Sequence, residues 1–265
     1  MTTLTKHHGL GNDFLVAFHP GIDDLAAFAR WVCHRATGVG ADGLLVGESE
    51  PGHSARMVLY NADGSRAEMS GNGIRCFAQA LAARRGDLDP QTILTDAGPR
   101  HVELQLTEDP RTIFATVDLG EVSELPEPAG WAAVGAHPDR PVAHLGLGNP
   151  HTVVGVDDVQ AVDLLALGAQ VPHVNLEIIE PGPERDAITM RVHERGAGIT
   201  RACGTGAAAA AWAAARWGLV EARATELVVH MDGGSAKVAL HQPGTGRVTL
   251  TGPATFVATI EVPDS

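Results

Sequence analysis

The sequence predicts a mixed α/β chain of the α+β type, built as two pseudo-symmetric halves. Each half is expected to be a mostly antiparallel sheet curled around a central helix. Three observations carry this. First, the 265 residues are 44% hydrophobic and 19% charged, which supplies a packed core for one large domain or two ordinary ones. Second, short motifs recur in the same order at nearly one spacing. "GLGND" at 9–13 returns as "GLGNP" at 146–150, 137 residues on. Ser70-Gly71-Asn72-Gly73 returns as Cys203-Gly204-Thr205-Gly206, 133 residues on, and Asn61 and Glu194 each stand nine residues before the Ser or Cys. Third, each half holds one strongly apolar helical stretch among many strand-like runs.

The elements follow in order. The first half opens with the apolar strand "DFLVAF", then a helix over 24–37, "DLAAFARWVCHRAT". Strands "GLLVGE" and "RMVLYNA" precede a helix from Gly71 to about Arg85, and "TILTDA", "HVELQL" and "TIFATVDL" read as β. The second half gives strand "HTVVGV", a helix near 158–168, strands "VNLEII" and "AITMRVHE", and a helix from Gly204 to about Trp217. "ELVVHM", "SAKVAL", "RVTL" and "TFVATIEV" complete it. The helix at 204–217 is almost all Ala with two Trp, has no polar face, and therefore wants burial all round. The Pro-rich stretch 121–141 is the natural linker. The expected division is 1–125, joined by the last strand 254–265, and 126–253.

Net charge is −13, from 19 basic and 32 acidic residues. Such a chain repels nucleic acid and anionic membranes, so neither is an expected partner. No apolar run approaches membrane-spanning length and no signal-peptide pattern opens the chain, so the expected location is the cytoplasm. The three cysteines, 33, 76 and 203, are an odd count without metal-like spacing, so neither a disulfide framework nor a zinc site is expected. "GVGADG" at 38–43 fits a dinucleotide-binding pattern, but a helix precedes it and a strand follows, the reverse of what such a site needs.

The first turn of a helix leaves backbone N–H groups unpaired and carries partial positive charge. Glycines there let a ligand approach the backbone, which makes an anion site. Two such entrances facing a cleft between halves would hold a carboxylate from both sides. Plain N-capping by Ser70 is the simpler reading of one copy; the duplication and the Cys at 203 argue against it. A thiol at a helix entrance is expected to have a lowered pKa and to act as base or nucleophile. Cys33 and Cys76 read as inert packing. Asn12, Asn61 and Asn149 are turn formers by default.

The stretches "HGLGNDF" (8–14), "NADGS" (61–65), "SGNG" (70–73), "GNPH" (148–151), "VN" (174–175), "ERGAG" (194–198) and "ACGTG" (202–206) together resemble the diaminopimelate epimerase family of cofactor-independent amino-acid racemases. The resemblance spans most of the chain. It implies two similar halves, no metal, no pyridoxal phosphate or other cofactor, a dicarboxylic diamino-acid substrate and a homodimer. It further implies two catalytic groups on opposite sides of the substrate α-carbon, here Cys203 and Ser70. Asn12, Asn61, Asn149, Asn175 and Arg195 match the positions that grip substrate, with Arg195 suited to a second carboxylate. Gly71, Asn72, Gly204 and Thr205 match the donors to the reacting carboxylate. Glu194 and His151 match positions near the reacting amino group and thiols, where they tune acids and bases.

One departure stands out: the family writes Cys where this chain writes Ser70. A Ser hydroxyl is a far weaker acid than a thiol, whose pKa is about 8.5. Four readings stay open at this point. Ser70 is an engineered replacement; or it works in a natural epimerase with help from water or His151; or the reaction uses one base, as in dehydratase relatives; or the chain binds diaminopimelate without turnover. Gly43 also stands where some members have Gln, and Ile199 where Glu is common.

Overall fold

The computed structural model describes residues 1–135, 137, 139–221, 225–241 and 246–264. They resolve into two units, Met1–Asp118 with Gly252–Ser265, and Leu119–Thr251.

The first unit contains β1 (Thr2–Gly9), β2 (Asn12–Phe18), α1 (Leu25–Val32), β3 (Gly43–Glu48), β4 (Ala55–Asn61), β5 (Arg66–Ala67), α2 (Gly71–Arg85), β6 (Gln91–Thr95), β7 (Gly98–Leu106) and the start of β8 (Thr112–Glu121). The pairs β1–β2, β3–β4, β4–β5, β6–β7 and β7–β8 are antiparallel; β2–β3 and β4–β6 are parallel. The second unit holds β9 (Ser123–Glu124), α3 (Trp131–Val134), β10 (Val142–Gly146), β11 (Pro150–Gly155), α4 (Leu164–Gly168), β12 (Asn175–Pro181), β13 (Ala187–Glu194), β14 (Gly198–Thr200), α5 (Gly204–Trp217), β15 (Glu226–Met231), β16 (Gly234–Leu240) and the first part of β17 (Arg247–Val262). Its pairings repeat the first unit's order. β10–β11, β12–β13, β13–β14, β15–β16 and β16–β17 are antiparallel; β11–β12 and β13–β15 are parallel. The predicted mixed α/β fold of two like halves is therefore present.

Each sheet wraps one helix. α2 packs against β1, β2, β3, β4 and β7, and α5 against β10, β11, β12, β13, β15 and β16. Both helices start at a side-chain cap, Ser70 accepting from Gly73 N–H and Cys203 from Gly206 N–H. Both stop at a left-handed glycine, Gly86 (φ 77°) and Gly218 (φ 70°), with arginines in the last turn where the helix dipole favours them. The alanines of α5 have a packing reason. Ala207–Ala211 have no exposed surface, and a larger side chain would hold the surrounding strands away.

Several predicted elements take a different form. The helix expected over 24–37 ends at Val32, because the chain folds back on it: Val39 and Gly40 N–H both bond to the Val32 carbonyl. A Cβ at Gly38 would lie 2.1 Å from the Trp31 carbonyl oxygen. The helix near 158–168 begins only at Leu164, where Asp163 caps it; upstream, Val159 N–H is held by the Glu180 carboxylate instead. "RVTL" and "TFVATIEV" are one strand, β17, and β1 and β10 add strands that apolar alternation does not reveal. Residues 255–262 of β17 pair with β1. The stretch 121–141 is not bare linker but includes β9 and α3. No helix of the described residues is long and apolar enough to cross a membrane.

The enclosure of α5 predicts that Ala209→Leu destabilises the protein by about 1–3 kcal/mol through overpacking, read as a lowered urea midpoint. An unchanged midpoint would contradict close packing of strands on this helix.

Candidate active site

In the first unit the α2 entrance is a network of amides tied at both ends to charges. Arg75 has no exposed surface, and its partners are neutral oxygens: Asn72 Oδ1 at 2.8 Å, Gly71 O at 3.2 Å and Pro253 O at 3.3 Å. Burial lowers its pKa to about 10. Because Arg75 donates to Asn72 Oδ1, the Asn72 amide nitrogen faces Asn12 Oδ1, to which it donates at 3.0 Å. Asn12 Nδ2 then donates to Asp42 Oδ2 at 2.7 Å. So Asn12 and Asn72, two expected substrate contacts, are brought together and oriented. Asn61 stands at the end of β4, level with Gly43, and donates to Ser65 Oγ at 3.0 Å. Ser70 Oγ accepts from Gly73 N–H at 3.0 Å, so the simple capping role is present in the structure.

The second unit builds a different chemistry on the same frame. Cys203 Sγ accepts from Gly206 N–H at 3.4 Å, the bond Ser70 makes in the first unit. Thr205 Oγ1 lies 3.7 Å from the sulfur. Asn149 Nδ2 donates to Thr205 Oγ1 at 3.3 Å, and Asn149 Oδ1 lies 2.8 Å from His151 Nε2. The other ring nitrogen, Nδ1, is 2.7 Å from Glu177 Oε1, with both side chains fully buried. Asn175 donates to Pro150 O and accepts from the Arg195 N–H. Thr200 hydroxyl bonds the Glu194 carboxylate, whose charge also acts on Cys203.

Strand register fixes the equivalences between halves. Phe14 pairs Gly43 across parallel β2–β3, and His151 pairs Asn175 across parallel β11–β12. Two residues on, Leu45 therefore corresponds to Glu177. A Cβ on Gly73 would meet Leu45 at 3.4 Å; on Gly206 it would meet Glu177 Oε1 at 2.5 Å. The halves thus share the Asn12–Asn72 and Asn149–Thr205 contacts. Where the second places His151 and Glu177, the first has Phe14 and Leu45.

The expectation of a lowered thiol pKa at Cys203 needs correction. Cys203 is 4% exposed, and burial pushes its pKa well above the ordinary value, with the Glu194 and Glu177 charges adding to the rise. The Gly206 N–H and Thr205 hydroxyl oppose this without overcoming it. Cys203 in this state is a buried thiol held by the Gly206 N–H and the Thr205 hydroxyl. Glu194 is itself raised, by burial of its carboxyl first and the Glu177 charge among lesser causes. Cys33 and Cys76 are buried and both raised to about 12, in keeping with inert packing.

Sequence reasoning missed Glu177, Arg75 and Asp42. The available signal was a lone charge inside an apolar run: Glu177 in "VNLEII", Arg75 in "GIRCF". Among the described residues, no group of three or more His, Cys, Asp or Glu side chains has an arrangement that could hold a metal ion.

The fold is shared with known proteins. A phenazine-biosynthesis protein of the PhzF family from Bacillus anthracis superposes with a TM-score of 0.77 at 16% identity, over 99% of this chain and all of that one. A probable proline racemase from Agrobacterium radiobacter superposes with a TM-score of 0.71 at 16% identity, over 99% of this chain and 93% of that one, so the architecture is shared with both kinds of protein. The sequence model of the diaminopimelate epimerase family matches residues 4–125 and 144–257. The diaminopimelate epimerase of Desulfitobacterium hafniense is 36% identical, with 96% of this chain and 95% of that one covered. That of Magnetococcus marinus is 40% identical, with 95% and 94% covered. The chain belongs to the diaminopimelate epimerase family.

The raised Glu194 pKa predicts a sign. The folded form keeps its proton to higher pH than the unfolded chain, so its stabilising contribution is complete below the ordinary 4.5 and is lost as pH rises above it. Glu194→Gln should therefore gain melting temperature relative to the parent between pH 4.5 and neutrality. A difference that does not vary with pH in that window would refute the buried, proton-holding carboxyl.

Proposed function

We propose that this chain interconverts LL- and meso-2,6-diaminopimelate by removing and returning the proton at one α-carbon. The observation that carries the reading is Cys203 itself, a thiol capping a helix N-terminus within reach of the Glu194 charge. Family membership over nearly the whole chain supports it. The steps balance without redox change. With Glu194 ionised, its carboxylate accepts the Cys203 proton, the thiolate takes the α-proton, and a proton returns to the carbanion from the other side. Backbone N–H groups at Gly71–Asn72 and Gly204–Thr205 supply donors to the substrate carboxylate as negative charge develops. Asn12, Asn61, Asn149, Asn175 and Arg195 grip the rest of the substrate. An amino acid that carries a second carboxylate suits Arg195.

Ser70 is the weaker partner. Its own half offers Phe14 and Leu45 where the other half has an imidazole and a carboxylate, so Ser70 acts as a proton donor or relay through water and not as an unaided base. Cytoplasmic location and a homodimeric assembly follow from the same family reading; light scattering tests the second.

The test supplies LL-diaminopimelate in D2O and follows α-deuteration by NMR and the meso product by chiral chromatography. The parent should deuterate and invert. Cys203→Ala should lose about 10²-fold or more, as for removal of a general acid–base group, and Ser70→Cys should speed turnover. Undiminished exchange in Cys203→Ala would falsify the mechanism; water loss giving a keto acid would point to a lyase instead.

A further inference from the structure

The second unit contains an unbroken line of hydrogen bonds that ends on the reactive sulfur and starts at a residue with no role in the reading above. Glu177 Oε1 lies 2.7 Å from His151 Nδ1, and His151 Nε2 faces Asn149 Oδ1 at 2.8 Å. Asn149 Nδ2 donates to Thr205 Oγ1 at 3.3 Å, and Thr205 Oγ1 is 3.7 Å from Cys203 Sγ. Each link sets the next. Asn149 turns its amide nitrogen to Thr205, so its oxygen faces the ring and accepts only; His151 Nε2 must therefore carry a hydrogen. Thr205 Oγ1 accepts from Asn149, which leaves its single hydrogen for the sulfur. This holds wherever the proton between Glu177 and Nδ1 rests.

We propose that Glu177 is a positioning residue for proton transfer at Cys203, acting through His151, Asn149 and Thr205 to hold the Thr205 hydroxyl hydrogen on the sulfur. Three observations beyond the distances support it. Glu177 has no exposed surface, and its second oxygen, Oε2, has no hydrogen-bond partner, so the carboxylate is retained at an energetic cost that packing does not need. Gly206 is kept free of a Cβ that would stand 2.5 Å from Oε1. The repeat in the first unit keeps the shared Asn contact but replaces the pair by Phe14 and Leu45, so the fold does not require the pair. A hydroxyl donor on the sulfur favours the thiolate over the thiol and offsets the two carboxylates that oppose it. The proposal rests on the reading of Cys203 as the proton-transferring group, and its test uses no diaminopimelate.

Two measurements decide it. In the intact protein, imidazole nitrogen NMR should find a hydrogen on His151 Nε2; a bare Nε2 would reverse the line and overturn the proposal. The second is the rate of Cys203 alkylation by iodoacetamide at one mildly alkaline pH. Mass spectrometry of the Cys203 peptide scores it apart from Cys33 and Cys76. Thr205→Val should slow it about tenfold, the loss of one hydrogen bond to a charged group. The paired variant His151→Phe with Glu177→Leu, which installs the first unit's residues, should slow it equally, and adding Thr205→Val should slow it no further. The pair is removed as one unit whose net charge is the same wherever the proton between Glu177 and Nδ1 rests, so a charge effect alone predicts no fall. Unchanged or faster alkylation in the paired variant, beside a slowed Thr205→Val, would mean that Thr205 is held without Glu177. Unchanged alkylation in Thr205→Val would mean that its hydroxyl does not donate to the sulfur. Either result ends the proposal.

Discussion

A carboxylate and an imidazole without exposed surface, 2.7 Å apart on strands β12 and β11 that pack against α5, constrain everything near them. Removing either alone would strand a polar group at a cost of about 3–5 kcal/mol. Their neighbours are accordingly fixed. Gly206 must lack a side chain, Asn149 must present its oxygen to the ring, and α5 must begin where it does for Cys203 to reach Gly206 N–H. The alanines behind that first turn let the strands close over the pair. The helix cap that both units share places the sulfur, and the buried pair sets the polar groups around it.

The two units show how a duplicated backbone acquires unequal chemistry. Pairing order, helix caps and the Asn contact at each entrance are common property. What differs is which buried charge ties the network down. One unit uses Arg75 and Asp42, a cation and an anion at the two ends of a pair of amides. The other uses Glu177 against His151 and leaves Ala208 at the position five residues past its cap, where the first has Arg75. Cys203 consequently stands within reach of the Glu194 and Glu177 charges, whereas the first unit has Phe14 and Leu45 in the places of His151 and Glu177. On the proposed mechanism, a reaction that takes a proton at one group and returns one at another has no need of equal partners, and a Ser in place of the thiol would cost more in the second unit than Ser70 does in the first.

The fold was legible where local signals agree. α2 and α5 could be bounded from sequence because a capping residue, a glycine pair and a terminal glycine mark both ends. β1 escaped because its inward positions include Thr2 and His7, which break apolar alternation although both are buried. Gly252-Pro253 reads as a turn, yet β17 runs through it: the glycine makes room for the Arg75 guanidinium, 3.0 Å from where a Cβ would sit, and the proline carbonyl accepts from it. A residue 178 positions away dictates that dipeptide, and no local window contains it. In the site, the motif residues were legible because glycines and asparagines mark unusual backbone. Glu177, Arg75 and Asp42 were not. A buried charge announces itself only through the partner that makes it tolerable, and partners are supplied by topology.

β17 carries one last consequence, for the order in which a nascent chain can settle. Thr2 pairs with Val262 and Thr5 with Thr259, so the opening strand meets its second neighbour only after the whole intervening unit has been synthesised. Until then β1 can pair with β2 alone and presents an open edge, the kind of surface on which strands of other chains add. The second unit has no such debt, since its strands lie within one continuous stretch. Translation therefore delivers the halves in one order and lets them close in the other.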